Sequence, residues 1–201
     1  MEKFQIFNNS ISGKQLDKVL AILKEGGVVI IPTDTLYAIA CDALNPKAIE
    51  KVCRIKGINP ERTNLSILCN DISMVSDFTK FDNYAFKLMK ENSPGPFTFL
   101  FRAASSLPRA FKGRKVVGIR IPDNEADRTI VEALGHPLLS TSIQYEEEDY
   151  GRNPELIADN YEDRVDLIVL GDEGSLVPSA IIDCTNSQPQ IIREGPSPVK
   201  G

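Results

Sequence analysis

The stretch Pro32-Thr33-Asp34-Thr35 places three oxygen-bearing side chains directly after the apolar run Val28–Ile31. Pro32 has no amide hydrogen and would interrupt the hydrogen bonding of a sheet, so the run should end there as a strand. In an extended backbone, side chains two residues apart project to one side, which would bring the hydroxyls of Thr33 and Thr35 together. Such a pair either caps a turn or holds a polar ligand at the edge of a sheet, and the motif alone favours the turn.

Small hydroxyl side chains recur where other predicted strands begin or end. They occur in Ser140-Thr141-Ser142, in Pro178-Ser179, and at Thr98 after the turn Pro94-Gly95-Pro96. Cations also lie at predicted helix or strand ends, namely Lys56, Arg120 and Arg193. Hydroxyls combined with Lys and Arg are suited to binding phosphates and carboxylates and to stabilising their charge.

Other chemistries find little support in the sequence. His136 is the only histidine, which excludes a multi-histidine metal centre. The four cysteines form no C-x-x-C pair and lie mostly in apolar runs, as is typical of buried reduced thiols. The P-loop and Rossmann motifs are absent from the sequence. The G-x-S-x-G motif is absent as well, which argues against a Ser-His-Asp triad that uses His136. We therefore expect binding and charge stabilisation, with no metal site made of protein side chains.

Size and hydropathy indicate one compact unit. A length of 201 residues with 42% hydrophobic residues predicts a single domain over residues 1–201. No apolar run reaches the length of a membrane span, and the N-terminus lacks the basic and apolar regions of a signal peptide. We expect a soluble, cytoplasmic protein with no membrane partner.

Charge is distributed unevenly along the chain. Residues 1–120 contain 18 Lys and Arg against 11 Asp and Glu, whereas residues 121–201 contain 5 against 17. Such blocks are commonly ordinary solvated surface. They can also give an acidic protein a positive cleft that is suited to phosphate or RNA.

Periodicity and capping residues predict a mixed α/β architecture. The predicted helices are residues 12–26, 45–56, 82–92 and 123–134. The predicted strands are residues 28–31, 65–69, 97–101, 116–121, 138–142, 166–170, 179–183 and 190–193. Because strands and helices alternate irregularly, a mixed sheet covered by helices is favoured over a regular βαβ array. Residues 146–155 combine a charge run with glycine and Asn-Pro, which predicts a mobile loop beside a strand end.

In their order along the chain, several segments resemble the YrdC/YciO family, whose best-known members are threonylcarbamoyl-AMP synthases. The segments are GGVVIIPTDTLYAIACD, the helix ending at Lys56, SPGPFTFLF, GIRIP, LLSTS, PSAIID and IIREG. The similarity extends from about Ile11 to Gly195 and is strongest to the YciO branch. It implies a YrdC/RibB-like α/β fold, a twisted mixed β-sheet flanked by helices with a basic concave cleft.

The resemblance also implies two groups of binding residues. The residues that would form the threonine pocket, with Arg120 meeting the carboxylate and Tyr37 forming a wall, are Thr33, Thr35, Tyr37, Arg120, Ser140 and Ser179. The residues that would bind the phosphates or the rest of ATP are Lys56, Arg62, Ser142, Gln144 and Arg193. The resemblance implies no acid–base side chain.

The activity implied is that of a nucleotidyltransferase. Family enzymes condense L-threonine, bicarbonate and ATP with Mg²⁺ into threonylcarbamoyl-AMP and pyrophosphate, for the threonylcarbamoyladenosine modification of tRNA. The alternative is a regulatory relative, or one that binds double-stranded RNA or tRNA, without synthase activity.

This chain departs from the synthase pattern at several positions. The synthases carry Lys-x-Arg after the second helix, whereas this chain reads Lys56-Gly57-Ile58, with Arg62 as the nearest arginine in a longer loop. Their Ser-x-Asn is replaced by Ser142-Ile143-Gln144, and Cys69 and Val116 stand where the family often has histidine and threonine. Losing an arginine at a triphosphate removes a contact worth about 1.5–3 kcal/mol, unless Arg62 supplies it.

Overall fold

One twisted mixed sheet forms the centre of the molecule. The computed structural model describes residues 1–59, 65–105, 107, 111 and 115–201. In this part of the chain, eleven strands form the sheet and seven helices flank it. The predicted fold class is therefore confirmed.

The elements are numbered in chain order. The strands are β1 Glu2–Gln5, β2 Val28–Ile31, β3 Ala38–Asp42, β4 Ser66–Leu68, β5 Thr79–Lys80, β6 Phe97–Ala103, β7 Val116–Arg120, β8 Leu138–Ser142, β9 Leu167–Leu170, β10 Ala180–Asp183 and β11 Gln190–Arg193. The helices are α1 Gly13–Lys24, α2 Pro46–Lys56, α3 Ile72–Phe78, α4 Asn83–Asn92, α5 Glu125–Leu134, α6 Asp149–Arg152 and α7 Pro154–Tyr161.

The strand order mixes parallel and antiparallel neighbours. Across the sheet the order is β1-β9-β2-β3-β8-β4-β7-β6-β10-β11, and β5 pairs with β6 at the side. Parallel pairs are β1 with β9, β2 with β9, β4 with β7, and β6 with β10. The strands β3 and β8 run antiparallel to their neighbours at the centre.

Helix ends follow from local sequence signals. Ser12 and Gln15 form a reciprocal capping box at the start of α1. Asn45 caps α2 through its side chain, and Pro46 occupies the first turn. Gly57 ends α2 in the left-handed conformation, with φ of 64°, which a residue with a side chain adopts less readily. This termination places Lys56 at the last position of the helix.

Alternation along the strands creates two different faces. On one face, a cluster that includes Ile30, Ile39 and Phe99 packs against α2, α4 and α7. On the other face, Val29, Ala40 and their neighbours pack against α1 and α5. Beyond this second cluster, the same face of the sheet carries small or polar side chains. They are Ser66, Thr98, Gly118, Ser140 and Ser142. We call this part the polar face.

The segment from 146 to 155 is not the loop that the sequence predicted. It contains the short helix α6 and the start of α7. Asn153 accepts hydrogen bonds from the amides of Glu155 and Leu156, and Pro154 takes the first helical position. Asn153-Pro154 therefore begins a helix, as Asn45-Pro46 does, and does not mark the predicted loop.

The cysteines behave as predicted. Cys41, Cys53, Cys69 and Cys184 are buried and none of them forms a disulfide. Burial raises the pKa of Cys184 to about 12 and raises the pKa of Cys41 and Cys69 further, so these thiols stay protonated. Every helix within the described residues is too short or too polar to cross a lipid bilayer.

Candidate functional site

The segment after β2 forms a turn held by its own hydroxyl groups. Thr33 Oγ1 donates to the carbonyl oxygen of Leu36 at 2.8 Å and accepts the amide of Thr35 at 3.0 Å. The Oγ1 atoms of Thr33 and Thr35 lie 3.2 Å apart. The two hydroxyls therefore share one side, as predicted, but they do so in a turn and not in an extended strand.

Asp34 projects from this turn to Arg120 at the end of β7. Arg120 Nη2 donates to Asp34 Oδ1 at 2.5 Å, and the two side chains are only 10% and 12% exposed. Asp34 is not among the predicted binding residues. Its carboxylate contacts the same guanidinium that the family resemblance assigns to a ligand carboxylate.

A second carboxyl, that of Asp127 in the first turn of α5, is completely buried. Its amide donates to Asn124 Oδ1 at 3.2 Å, and Asn124 Nδ2 donates to the carbonyl oxygen of Pro32 at 3.3 Å, so this turn of α5 packs against the segment that carries Asp34. Neither of its oxygens has a hydrogen-bond partner among the described residues, and the same holds for Asp34 Oδ2 and Arg120 Nε. Burial raises the pKa of Asp127 well above its usual range; Arg120 offsets part of the effect, and Asp34 adds to it.

Sequence reasoning missed Asp127 because an acid in the first helical turn usually stabilises the helix dipole from the surface. A signal was available. Asp127 precedes Ile130, Val131 and Leu134 at helical spacing, on the face that α5 buries in the second hydrophobic cluster. An acidic residue within the apolar stripe of a helix therefore indicates a buried carboxyl.

Arg193 and Ser179 meet beside the start of β10. Arg193 donates from Nε and Nη2 to the carbonyl oxygen of Ser179, at 3.0 and 2.8 Å. The hydroxyl of Ser179 lies 2.8 Å from Thr98 Oγ1. Burial lowers the pKa of Arg193, and the positive charge of Arg120 lowers it further. Two cations near one another favour an anionic ligand.

Lys56 joins the end of α2 to the end of β8. Its ammonium donates to the carbonyl oxygen of Ser142 at 2.6 Å, and burial lowers its pKa. An ammonium has three donors, so further N–H groups are available for a phosphate. After β8, the amide and carbonyl of Gln144 both bond to the hydroxyl of Tyr161, at 2.9 and 3.0 Å, which leaves the Gln144 side chain exposed.

A surface pocket of about 540 Å³ opens beside this segment. Its lining comprises Gln144, Tyr145, Glu146, Glu147, Tyr150, Asn160 and Arg164. Arg164 donates to the carbonyl oxygen of Ile55 at 2.7 Å, which places the pocket against the same end of α2 as Lys56.

Tyr37 has a structural contact that its predicted role did not include. Its hydroxyl donates to the carbonyl oxygen of Asp172 at 2.8 Å and accepts the amide of Gly171 at 2.9 Å. Burial raises the pKa of Tyr37 to about 12. The side chain thus anchors the loop after β9, and its place in the wall of a threonine pocket stays a prediction.

Contacts connect most of the predicted residues. Thr33, Thr35 and Arg120 are joined through Asp34, while Ser179 is joined to Arg193. Lys56, Ser142 and Gln144 form a second group at the end of β8.

The polar face connects the two groups. Ser140 pairs with Ser66, which in turn pairs with Gly118, two residues before Arg120. A side chain at position 118 would clash with the hydroxyl of Ser66, so the glycine permits close approach there. Arg62 lies outside the described residues, and the ligand contacts of all these residues stay predictions.

Comparisons with known proteins identify the relatives of this chain. The model of the Sua5/YciO/YrdC family, described as "Telomere recombination", matches residues 21–195. The chain is 36% identical to "Uncharacterized protein YciO" of Escherichia coli (strain K12) over 200 residues, which cover 98% of this chain and 97% of that protein. It is 28% identical to "Threonylcarbamoyl-AMP synthase" of Bacillus subtilis (strain 168) over 190 residues, which cover 92% of this chain and 55% of the synthase.

Solved structures agree on the fold. The crystal structure of E. coli YciO matches with a TM-score of 0.90 and 35% identity, covering 100% of this chain and 98% of that one. The structure of P. abyssi Sua5 complexed with L-threonine matches with a TM-score of 0.84 and 22% identity, covering 97% of this chain and 58% of that one.

The buried carboxyl of Asp127 should make stability depend on pH. Because its pKa is raised in the folded protein, the folded state holds this proton more tightly than the unfolded chain does. Its contribution to stability is fully present below the unfolded pKa of about 3.9 and is lost as the pH rises through the folded pKa. In urea denaturation, the free energy of unfolding should therefore fall more with rising pH in the wild type than in Asp127→Asn. Asp123→Asn alters an exposed carboxyl nearby and should follow the wild type; equal slopes in all three proteins would contradict the assignment.

Proposed function

The chain belongs to the Sua5/YciO/YrdC family, and we propose that it is a threonylcarbamoyl-AMP synthase-like protein that binds L-threonine and ATP. Its similarity to the B. subtilis synthase over 92% of its length supports this proposal. Support from the structure comes from one arrangement: the residues predicted for threonine and those predicted for phosphate are connected through one face of one sheet.

The threonine half of the proposed site lies around Arg120. A ligand carboxylate would bind its guanidinium, which is already oriented by Asp34. The hydroxyls of Thr33 and Thr35 lie beside Asp34 in the same turn, where they can orient the polar groups of an amino acid.

The phosphate half would be served by Lys56 and Arg193, with Ser142 and Gln144 at the end of β8. Within the described ranges, no group of three or more His, Cys, Asp or Glu side chains is arranged to hold a metal ion. Mg²⁺ would accordingly enter with ATP as part of the substrate, held by the phosphates.

The proposed reaction requires positioning more than acid–base chemistry. The amino group of threonine and bicarbonate condense to a carbamate with loss of water. The anionic oxygen of the carbamate then attacks the α-phosphorus of ATP in line, and pyrophosphate leaves. Since the attacking oxygen is already anionic, no side chain has to remove a proton at that step. Lys56 and Arg193 would offset the negative charge of the phosphates, which suits a site without a histidine base.

RNA binding without synthesis is the second candidate. The charge distribution supports it, because residues 1–120 contain 18 basic and 11 acidic side chains. Double-stranded RNA is recognised mainly through phosphates, hydroxyls and shape, so such a protein needs cations more than aromatic platforms.

Pyrophosphate release tests the proposal directly. We expect the wild-type protein with Mg-ATP to release pyrophosphate only when both L-threonine and bicarbonate are present, and omission of either should reduce the release to background. ATP binding without this release would instead indicate a different acyl substrate. Salt-sensitive binding of double-stranded RNA or tRNA without any release would favour the second candidate.

Lys56→Ala should weaken ATP binding. The substitution removes a cation held at the end of α2 beside Ser142, and a hydrogen bond to a charged group is worth about 1.5–3 kcal/mol, or at least ten-fold in affinity. Calorimetric titration with ATP measures the effect. Lys47→Ala, at the exposed first turn of the same helix, is the matched control and should leave the affinity unchanged. An unchanged affinity in folded Lys56→Ala would remove Lys56 from the site.

Restoring two of the positions that depart from the synthase pattern should raise activity. In Ile58→Arg with Gln144→Asn, the arginine adds a bidentate phosphate donor and the shorter amide moves back by one methylene. We expect threonine-dependent pyrophosphate release to rise about ten-fold, equivalent to about 1.4 kcal/mol in the barrier. Ile58 packs partly against the core, so the melting temperature has to be compared as well.

The control for that variant is Ile58→Lys with Gln144→Asn, which adds charge without the planar fork and should gain less. If Arg62 already supplies the contact, the wild type should be active and Arg62→Ala should abolish the release. Equal rates for the arginine and lysine variants would contradict a bidentate contact at position 58.

A further inference from the structure

Four buried polar atoms without hydrogen-bond partners belong to three neighbouring ionisable side chains. They are Arg120 Nε, Asp34 Oδ2 and both carboxyl oxygens of Asp127, within the part of the chain that the structure describes. Buried polar groups in folded proteins are nearly always hydrogen-bonded, so a cluster of exceptions calls for a specific cause. The cluster adjoins the turn of Thr33 and Thr35, where the proposed threonine site lies.

The surroundings of Asp127 favour its uncharged form. Its side chain is completely buried beside the apolar residues of α5 and of α1, which contributes Val19 and Leu23 to the shared cluster. An ionised carboxylate in such a place, without a donor, is far more costly than a neutral carboxyl. Two carboxylates beside one arginine would also repel each other.

Three charged groups act on Asp127 from the elements around it. Arg120 comes from β7, Asp34 from the turn after β2, and Arg128 from α5 itself. Arg128 is already occupied, since it donates to the carbonyl oxygen of Pro122 at 2.7 Å and lies 3.5 Å from Asp123. Arg120 is therefore the cation whose charge Asp127 would share with Asp34.

We propose that Asp127 is a positioning residue for Arg120: in its neutral form it leaves the guanidinium able to accept a ligand carboxylate, and in its ionised form it weakens this binding. The proposal rests on the proposed function, because it concerns the arginine assigned to the threonine carboxylate. With Asp127 neutral, Arg120 faces the one carboxylate of Asp34 and retains an unused Nε donor. With Asp127 ionised, a second negative charge lies near Arg120 and repels a ligand carboxylate.

Carboxylate binding at Arg120 should depend on pH, and this dependence should come from Asp127 alone. The binding should weaken at least about ten-fold as Asp127 ionises, because a like charge in a buried site repels the ligand carboxylate. In Asp127→Asn the side chain cannot ionise, so binding should keep its low-pH strength. Asp123→Asn, an exposed neighbour that contacts Arg128, should behave as the wild type does.

Sodium acetate is the probe, because it has a carboxylate but no amino group to titrate. In full-length protein, binding is followed through the ¹⁵N–¹H resonance of Arg120 Nε, which is identified by its loss in Arg120→Lys. Titrations start at about pH 5.5, above the pKa of a free carboxyl, and run to the highest pH at which the protein stays folded. The ¹³C resonance of the Asp127 carboxyl is followed over the same range, and its midpoint should coincide with the weakening of acetate binding.

Each result supports the proposal or overturns it. A wild-type response that weakens with pH, together with a constant response in Asp127→Asn, supports it. Identical profiles in the two proteins, a weakening of acetate binding whose midpoint differs from that of the Asp127 carboxyl, or no acetate response at any pH overturns it. If Asp127→Asn does not fold, the wild type still decides, since separate midpoints for the carboxyl and for acetate would exclude the link.

L-threonine added at about pH 6, below the titration of its amino group, separates this inference from the proposed function. A response to acetate without any binding of L-threonine means that the proposed substrate is wrong while the role of Asp127 stands. Binding of L-threonine at about pH 6, together with identical acetate profiles in the wild type and in Asp127→Asn, means the reverse.

Discussion

The ion pair of Arg120 and Asp34 joins two parts of the sheet that are not neighbours. Arg120 ends β7 and Asp34 follows β2, and the strands β3, β8 and β4 lie between them in the sheet order. The contact therefore fixes the turn of Thr33 and Thr35 over the polar face. Both side chains are nearly buried, and removing one partner of such a pair typically costs about 3–5 kcal/mol because the other charge is left uncompensated. The same contact thus supports the fold and sets what the proposed threonine site can accept.

The sequence predicted the elements whose signals are local and missed those whose partners are distant. Ser12 with Gln15 and Asn45 with Pro46 announce α1 and α2, because capping involves residues within one turn. The order of strands follows from pairings such as β3 with β8, about a hundred residues apart, and no local signal encodes them. The same limit applies to the site: hydroxyls and cations at element ends were recognised, whereas the proximity of Asp127 to Arg120 depends on how α5 packs on the sheet.

The departure from the synthase pattern after α2 has a local structural basis. Gly57 adopts the left-handed conformation, and the amide of Ile58 then bonds back to the carbonyl oxygen of Cys53 at 2.9 Å. This closure ends the helix and brings Ile58 partly against the core. Lys56 keeps its place at the helix end, but the next turn of chain contributes packing where the synthases have a cation. In the proposed site, packing against the core and a phosphate-binding cation would therefore compete for position 58.

The distribution of unsatisfied polar atoms separates this site from the rest of the core. Outside Arg120, Asp34 and Asp127, the only side-chain atoms of the described residues that are buried without a hydrogen-bond partner are Asn70 Oδ1 and His136 Nδ1, and His136 Nδ1 lies 3.3 Å from Asp42 Oδ1. An unsatisfied buried polar atom typically costs about 1–3 kcal/mol of stability, so four of them on three neighbouring side chains are a substantial cost. An apolar side chain at position 127 would avoid part of that cost. Ile130 and Leu134, on the same face of α5, are buried apolar residues of this kind. The carboxyl at position 127 therefore lowers the stability of the fold. Strained or unsatisfied groups of this kind concentrate where proteins bind their ligands.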